Sequence, residues 1–331
     1  MPLNQTSHND SACDSFIYDA KFVPALYFLM FPIALLLNGV AAWVSLHLKS
    51  TSTFMVYLKN LVAADIIMTL NILIKPAGDL LGAPHMMFAL SCYVSPIFYS
   101  TLYTCITLLG VISLDRFFKI VSPRSKLCGQ SLTFSRVISG SIWVILFGST
   151  ALPNIIFSNK SFASMAEITK CMDLKGPAGL EVHESIVIYM NVLFCLVSVV
   201  IAVCYICITN KVIQSFRNSG SNNSQGKQTI KLRVFLVVIV FFVSFGPYHI
   251  VRIPYTFQQV YHSSQSSCAR VKGRFAKELS LWFATTNICM NPLLYVFLCR
   301  EFKEKLMSMM KSVSISLQAA SAGKAEGKSP E

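Results

Sequence analysis

Apolar residues along this chain gather into seven long blocks, with most polar and charged residues left between them. The blocks run roughly over residues 22–48, 54–81, 89–121, 133–157, 183–217, 227–258 and 273–298. Each matches or exceeds the roughly 20 residues that an α-helix needs to cross a bilayer. The pattern predicts an all-α membrane protein, a seven-transmembrane helix bundle whose two termini lie on opposite sides. The third, fifth and sixth blocks outrun the hydrocarbon core, which tilt and protrusion absorb. Beyond the seventh, Arg300-Glu-Phe-Lys-Glu-Lys-Leu-Met307 alternates basic and apolar residues at helical spacing and predicts an amphipathic helix on the membrane surface. The expected division is an outer N-terminal segment 1–21, a bundle over 22–298, a surface helix over 299–311 and a disordered tail over 312–331. Residues 218–229 read as a flexible polar loop.

Composition agrees. Of 331 residues 54% are hydrophobic and 13% charged, about half the charged share of a soluble domain. The net charge of +13 does not point to nucleic acid, because the basic residues mainly flank the apolar blocks. That asymmetry sets topology. Lys49, Lys59, Arg116, Lys119, Arg124, Lys126, Arg136, Lys211, Arg217 and Arg300 fall at one set of ends, which the positive-inside rule makes cytoplasmic. The expectation is a multi-pass plasma-membrane protein with an extracellular N-terminus. The first block serves as both targeting signal and anchor, since the first 21 residues are polar rather than signal-like. Acceptor sequons at Asn4, Asn9 and Asn159 fall on the outer side and are candidate glycosylation sites, whereas one at Asn222 falls inside. Of eleven cysteines, Cys13, Cys92, Cys171 and Cys268 lie outside, where disulfides persist.

Polar residues inside the blocks are costly in lipid and should face the bundle interior. Asn38, Asp65, Asn71, Asn287 and Asn291 are of this kind. They serve either as interhelical hydrogen-bonding glue or as a hydrated network around Asp65 able to hold a proton or a sodium ion. No other metal site and no cofactor is expected. Asp115-Arg116 closes the third block, where local pairing of acid and base would hold a two-state switch. Phe245-Gly-Pro247 and Asn291-Pro292-Leu-Leu-Tyr295 place prolines within helices, where they kink the axis.

In chain order, Leu37-Asn38-Gly-Val, Leu61-Val-Ala-Ala-Asp65, Asp115-Arg116-Phe117, Trp143, Pro247 and Asn291-Pro-x-x-Tyr295 resemble the rhodopsin-like G-protein-coupled receptors across residues 22–311. The resemblance implies a receptor that acts on a heterotrimeric G protein, with Asp115, Arg116, Asp65, Asn38, Asn291, Pro292, Tyr295, Phe245 and Pro247 as its switch. Cys92 and Cys171 stand where that family places a loop disulfide. An enzyme is not expected: no nucleophile elbow or metal cluster is present.

The outward face is basic, with Lys75, Lys160, Lys170, Lys175, Arg252, Arg270, Lys272, Arg274 and Lys277, which suits an anionic ligand. Arg252 shares a helical face with His249 and Tyr255, and Lys277 opens the seventh block opposite them. Tyr248-His-Ile-Val-Arg-Ile-Pro-Tyr-Thr256, Cys171-x-x-Leu-Lys175, Ala151-Leu-Pro-Asn154 and Lys277-Glu278 resemble the purinergic nucleotide receptors. The similar branch answers ADP or UDP-sugars through inhibitory G proteins, and the ADP-responsive members are nearest. That resemblance implies phosphate binding by Arg252, Tyr255, Lys277 and Lys175, with His183 adding a hydrogen bond. It places Tyr99, Tyr103 and Asn154 at the base and ribose and pairs Cys13 with Cys268; His249 and Lys75 are further candidate ligand contacts. In the expected mechanism Arg252 and Lys277 repel each other until an anion bridges them. Their approach then tilts the sixth span about Pro247.

The chain also departs from the branch. Cys92 to Arg116 is one residue short with Pro96 between, which predicts a distorted top of the third span. Val187 replaces an asparagine, Phe117 a tyrosine and Asn291 an aspartate. The alternative ligand is another anion, such as a lysophospholipid. A transporter or channel is the remote alternative, and no inverted repeat supports it.

Overall fold

A computed structural model describes residues 19–78, 85–123, 131–158, 171–218, 224–260 and 267–326. Its helices are α1 (Asp19–Leu46), α2 (Thr53–Gly78), α3 (His85–Ile120), α4 (Leu132–Leu146), α5 (Leu152–Ile156), α6 (Pro177–Asn218), α7 (Ser224–Val260), α8 (Ser267–Thr285), α9 (Asn287–Leu298) and α10 (Arg300–Glu326). A π-helical turn, Phe147–Ala151, joins α4 to α5, and a 3₁₀ turn, Cys171–Leu174, precedes α6.

Among the described residues six segments are long and apolar enough to cross a bilayer alone; α4, the π turn and α5 form one of them. Val271–Phe297, made of α8 and α9, supplies the seventh before the chain turns by 95° into α10. The spans pack inside-out relative to a soluble protein. Leu29, Ile33 and Leu36 of α1 and Leu196, Val199, Val203 and Ile206 of α6 are exposed, whereas Asn38, Asp65 and Asn291 are fully buried. α3 is the central helix, with 67% of its apolar window buried against 17% for the α4–α5 span. Gly110 lets α6 approach it, since a Cβ there would stand 2.9 Å from Val197.

Prolines occur inside the spans because other groups satisfy the backbone. Pro292 cannot donate to the Ile288 carbonyl one turn back, and Asn38 of α1 fills that place at 2.9 Å. Hydroxyls along α3 bond to carbonyls of the preceding turn, as Ser100 does to Pro96 at 2.9 Å and Thr104 to Ser100 at 2.9 Å. The predicted distortion at Pro96 is absent: α3 runs unbroken through it. The irregular span is α4–α5, where the Leu152 amide reaches five residues back to Phe147 and Pro153 donates nothing.

Two boundaries differ from expectation. α7 starts at Ser224, within the expected loop 218–229. α10 continues to Glu326 through the tail expected to be disordered from Ser312. No proline interrupts it before Pro330, and Gln318-Ala-Ala is helix-favouring. Its first turns dock through Phe302, buried and edge-on to Tyr295 at 5.8 Å.

Candidate functional site

At one end of the bundle the Cys92–Cys171 disulfide, with Cα atoms 5.3 Å apart, ties the start of α3 to the 3₁₀ turn. This fixes Lys175, whose Nζ donates to the Asn154 carbonyl at 3.0 Å and Asn154 Oδ1 at 3.1 Å. It also donates to Ser158 Oγ at 3.2 Å. His183 Nδ1 lies 3.3 Å from the same Asn154 Oδ1 and within electrostatic reach of Lys175, Arg252 and Lys277. A side chain at Gly179 would strike the Phe157 carbonyl at 2.8 Å, so glycine lets α6 begin against α5. Burial lowers the Lys175 ammonium to a pKa of about 8, because a charge leaving water loses hydration.

Across this end, Arg252 of α7 is buried beneath three tyrosines, with its guanidinium 5.0 Å from the Tyr99 ring, 5.6 Å from Tyr103 and 5.4 Å from Tyr248. Lys277 stands 5.7 Å from both Tyr99 and Tyr255. Tyr99 is therefore shared by the two cations. Glu278 then joins two helices. It accepts from Lys277 at 2.6 Å and from Lys75 of α2 at 3.0 Å. This corrects the expected pairing of bare cations: Arg252 and Lys277 both lie against the Tyr99 ring, and Lys277 already has a carboxylate. With neutral histidines, Lys75, Lys175, Arg252, Lys277 and Glu278 together carry a net charge of +3.

Tyr103 and His249 lie deeper. Arg252 Nη1 donates to the Tyr103 hydroxyl at 2.8 Å, and that hydroxyl lies 2.8 Å from His249 Nε2. His249 Nδ1 lies 2.7 Å from the Phe245 carbonyl, and Phe194 stacks on the imidazole at 3.6 Å between centroids.

At mid-depth Asp65 accepts from Asn291 Nδ2 at 2.9 and 3.1 Å and from the Tyr295 hydroxyl at 2.6 Å. Asn38 links to this network through Thr69 at 3.4 Å. Among the described residues no group of three or more acidic, histidine or cysteine side chains could hold a metal. The oxygens Asn38 Oδ1 and Asn291 Oδ1 are buried without partners. At the far end Asp115 receives Thr53 at 2.5 Å and Lys119 at 2.7 Å. The expected Asp115–Arg116 pairing is not what forms, because adjacent helical side chains diverge whereas Lys119 lies one turn on. Arg116 instead covers Phe54 at 4.6 Å. Trp143 Nε1 donates to Asn60 at 3.1 Å.

Residues 37–295 match the seven-transmembrane receptors of the rhodopsin family. The chain belongs to that family. Within it the receptor is 42% identical to human P2Y purinoceptor 13 over 86% of this chain and 80% of the relative. It is 36% identical to bovine P2Y purinoceptor 14 over 86% and 84%, and 36% identical to mouse G-protein coupled receptor 87 over 92% and 82%. It is thus a G-protein-coupled receptor of the P2Y nucleotide kind, a multi-pass membrane protein and not an enzyme.

In this receptor the structure brings Arg252, Tyr99, Tyr103, Tyr255, His249, Lys277 and Lys75 into one cluster, with Lys175, Asn154 and His183 beside it. Asp65, Asn38, Asn291, Pro292 and Tyr295 form a second. Phe245 and Pro247 lie between them on α7. Sequence reading missed Glu278 as the partner of Lys75, since a contact between residues 203 apart leaves no local signal. It also missed Phe194 under His249. Asn4, Asn9, Asn159 and the Cys13 half of the Cys13–Cys268 pair lie outside the described residues.

Proposed function

We propose that the receptor binds an extracellular nucleoside diphosphate at the Arg252–Lys277 cluster and signals through an inhibitory G protein. The orientation that goes with this puts the disulfide end outside and the Asp115 end in the cytoplasm. The observation that carries it is the excess of three positive charges shared by the buried, tyrosine-walled cluster of Lys75, Arg252, Lys277 and Glu278 and the adjoining Lys175. A nucleoside diphosphate brings roughly three negative charges at neutral pH, because its terminal phosphate titrates near pH 6. A sugar diphosphate has no such terminal group and brings about two, so charge balance favours the free diphosphate. Tyr99 offers a ring for stacking and, with Arg252 and Lys277 both against it, a place where a polyanion is held by forked and point donors. Inhibitory coupling rests on the purinergic resemblance.

Binding would draw the outer parts of α7 and α8 together on the phosphates. α7 would then pivot near Pro247 and shift its far end relative to Arg116 on α3. A ligand moves this equilibrium only by its differential affinity for the two states. The test is inhibition of cAMP formation in cells lacking other nucleotide receptors, with and without toxin block of inhibitory G proteins. ADP, ATP, UDP, UDP-glucose and a lysophospholipid are compared on wild type and Arg252→Ala. The expected result is a toxin-sensitive ADP response that Arg252→Ala weakens at normal surface expression. Unchanged ADP potency in Arg252→Ala would remove the assignment, and a response to the lysophospholipid alone would replace the nucleotide.

A further inference from the structure

Three groups, Tyr103, His249 and the Phe245 carbonyl, stand in series between Arg252 and the proline pivot of α7, and their hydrogen-bond directions are fixed. The Phe245 carbonyl can only accept, so His249 donates from Nδ1–H at 2.7 Å. In the neutral ring Nε2 is then bare and accepts the Tyr103 hydroxyl hydrogen at 2.8 Å. The Tyr103 oxygen in turn accepts from Arg252 Nη1 at 2.8 Å. Tyr103 is fully buried and His249 is 4% exposed. Phe194 of α6 covers the imidazole face at 8° from parallel. Both His249 nitrogens are engaged, one face is covered, and the Tyr103 hydroxyl both gives and receives. Neither side chain has a polar group left to offer a ligand.

The chain of bonds ends at a mechanically weak place. Pro247 has no N–H, so the Val243 carbonyl one turn back loses its intrahelical donor. The Phe245 carbonyl lies between those two residues, on the turn that lacks this hydrogen bond. Tyr103 comes from α3, Phe194 from α6, and Arg252, His249 and Phe245 from α7. One row of hydrogen bonds therefore joins α3 to α7, and α6 covers it through Phe194.

We propose that Tyr103 and His249 are positioning residues that couple Arg252 to the Phe245–Pro247 pivot, and not contacts for the ligand. The proposal rests on the reading that Arg252 takes the anion. A phosphate that draws the Arg252 guanidinium toward itself pulls Nη1 away from Tyr103, the Tyr103–His249 bond readjusts, and the change reaches the carbonyl beside Pro247. Ligand recognition and helix motion are thereby joined through two side chains that the nucleotide does not touch.

The experiment uses the full-length receptor in membranes with purified inhibitory G protein. Tyr103→Phe keeps the ring under Arg252 and removes only the hydroxyl; His249→Phe keeps an aromatic ring under Phe194. Labelled ADP displacement and GTP-analogue exchange, basal and ADP-stimulated, are measured for both single variants and the double. ADP affinity should stay within about threefold of wild type. Each single variant should change exchange in the same direction, and the double should change it no further than the larger single, as coupled members of one path do. His249→Gln, whose amide oxygen can accept from Tyr103, should recover part of the signal. Additive effects in the double variant would overturn the proposal. So would unchanged exchange in both singles, or a tenfold loss of ADP affinity with exchange intact. If wild type ignores ADP, the nucleotide reading fails by itself, and the cycle on basal exchange still decides the coupling.

Discussion

Glu278→Gln gives a sharp test of the charge argument, because two opposing outcomes separate two roles for one carboxylate. Glu278 holds Lys277 at 2.6 Å and Lys75 at 3.0 Å, and its side chain is 19% exposed. A phosphate oxygen seated on the other side of the Lys277 ammonium would lie about 6 Å from the carboxylate. At an effective dielectric of about 20, unit charges at that distance repel by ~3 kcal/mol. Lys75 and nearby water absorb part of this, leaving on the order of 1.5 kcal/mol, or roughly tenfold in affinity. Gln keeps the shape and removes the charge; its single amide oxygen can still accept from Lys277, while Lys75 loses its acceptor. ADP should therefore bind Glu278→Gln about tenfold more tightly than wild type, and the gain should shrink as salt is raised. Surface expression should fall, since removing one partner of a buried ion pair leaves charge uncompensated, and affinity is accordingly measured per receptor by labelled ADP displacement. A tenfold loss of affinity with normal expression would refute the reasoning. It would mean that Glu278 places Lys277 for the ligand rather than competing with it.

Further outcomes follow from the same geometry. Burial depresses the Lys175 pKa to about 8, so its ammonium is lost as pH rises through 8, while the ligand's terminal phosphate is already ionised above roughly pH 7. ADP affinity should fall between pH 7 and 9, and Lys175→Arg should flatten that fall in a binding titration; a slope unchanged by the variant would exclude Lys175 from phosphate binding. Thr53→Val removes the 2.5 Å bond to buried Asp115 and should cost roughly 1.5–3 kcal/mol, as for a hydrogen bond to a charged group. Lys119→Ala should cost less, because the Lys119 side chain is 38% exposed and solvent screens it. Melting curves of the solubilised receptor check the order, and equal or reversed losses would contradict it.

The sequence by itself determined the number and order of the spans, the bundle class and the receptor family. Length and hydropathy of each block are local properties, and a lipid environment leaves only a helix as the form that satisfies the backbone. It also singled out the buried polar residues, since Asn38, Asp65 and Asn291 have no business in lipid unless they face one another. Asn38 reaching the carbonyl freed by Pro292 shows that logic at work across 250 positions of chain. The basic outer residues Lys75, Lys175, Arg252 and Lys277 were visible as charges without evident topological purpose.

Tertiary structure alone decided which partner each of these residues takes. Asp115 stands next to Arg116 in sequence yet bonds to Lys119 and Thr53, because helical side chains meet at spacings of three and four and across interfaces, not at neighbouring positions. Glu278 looks local to Lys277, and its bond to Lys75 exists only because α2 and α8 meet. Tyr103 and His249 were recognisable as polar residues near the ligand end, but their mutual bond depends on the rotation of α3 against α7. The extent of α10 past Ser312 was likewise hidden, since a polar, alanine-containing segment has no strong period to announce it. Hydropathy is summed along the chain and survives as a sequence signal. Charge pairing and hydrogen-bond direction depend on distances of a few ångströms between remote residues, and only the packed helices set those distances.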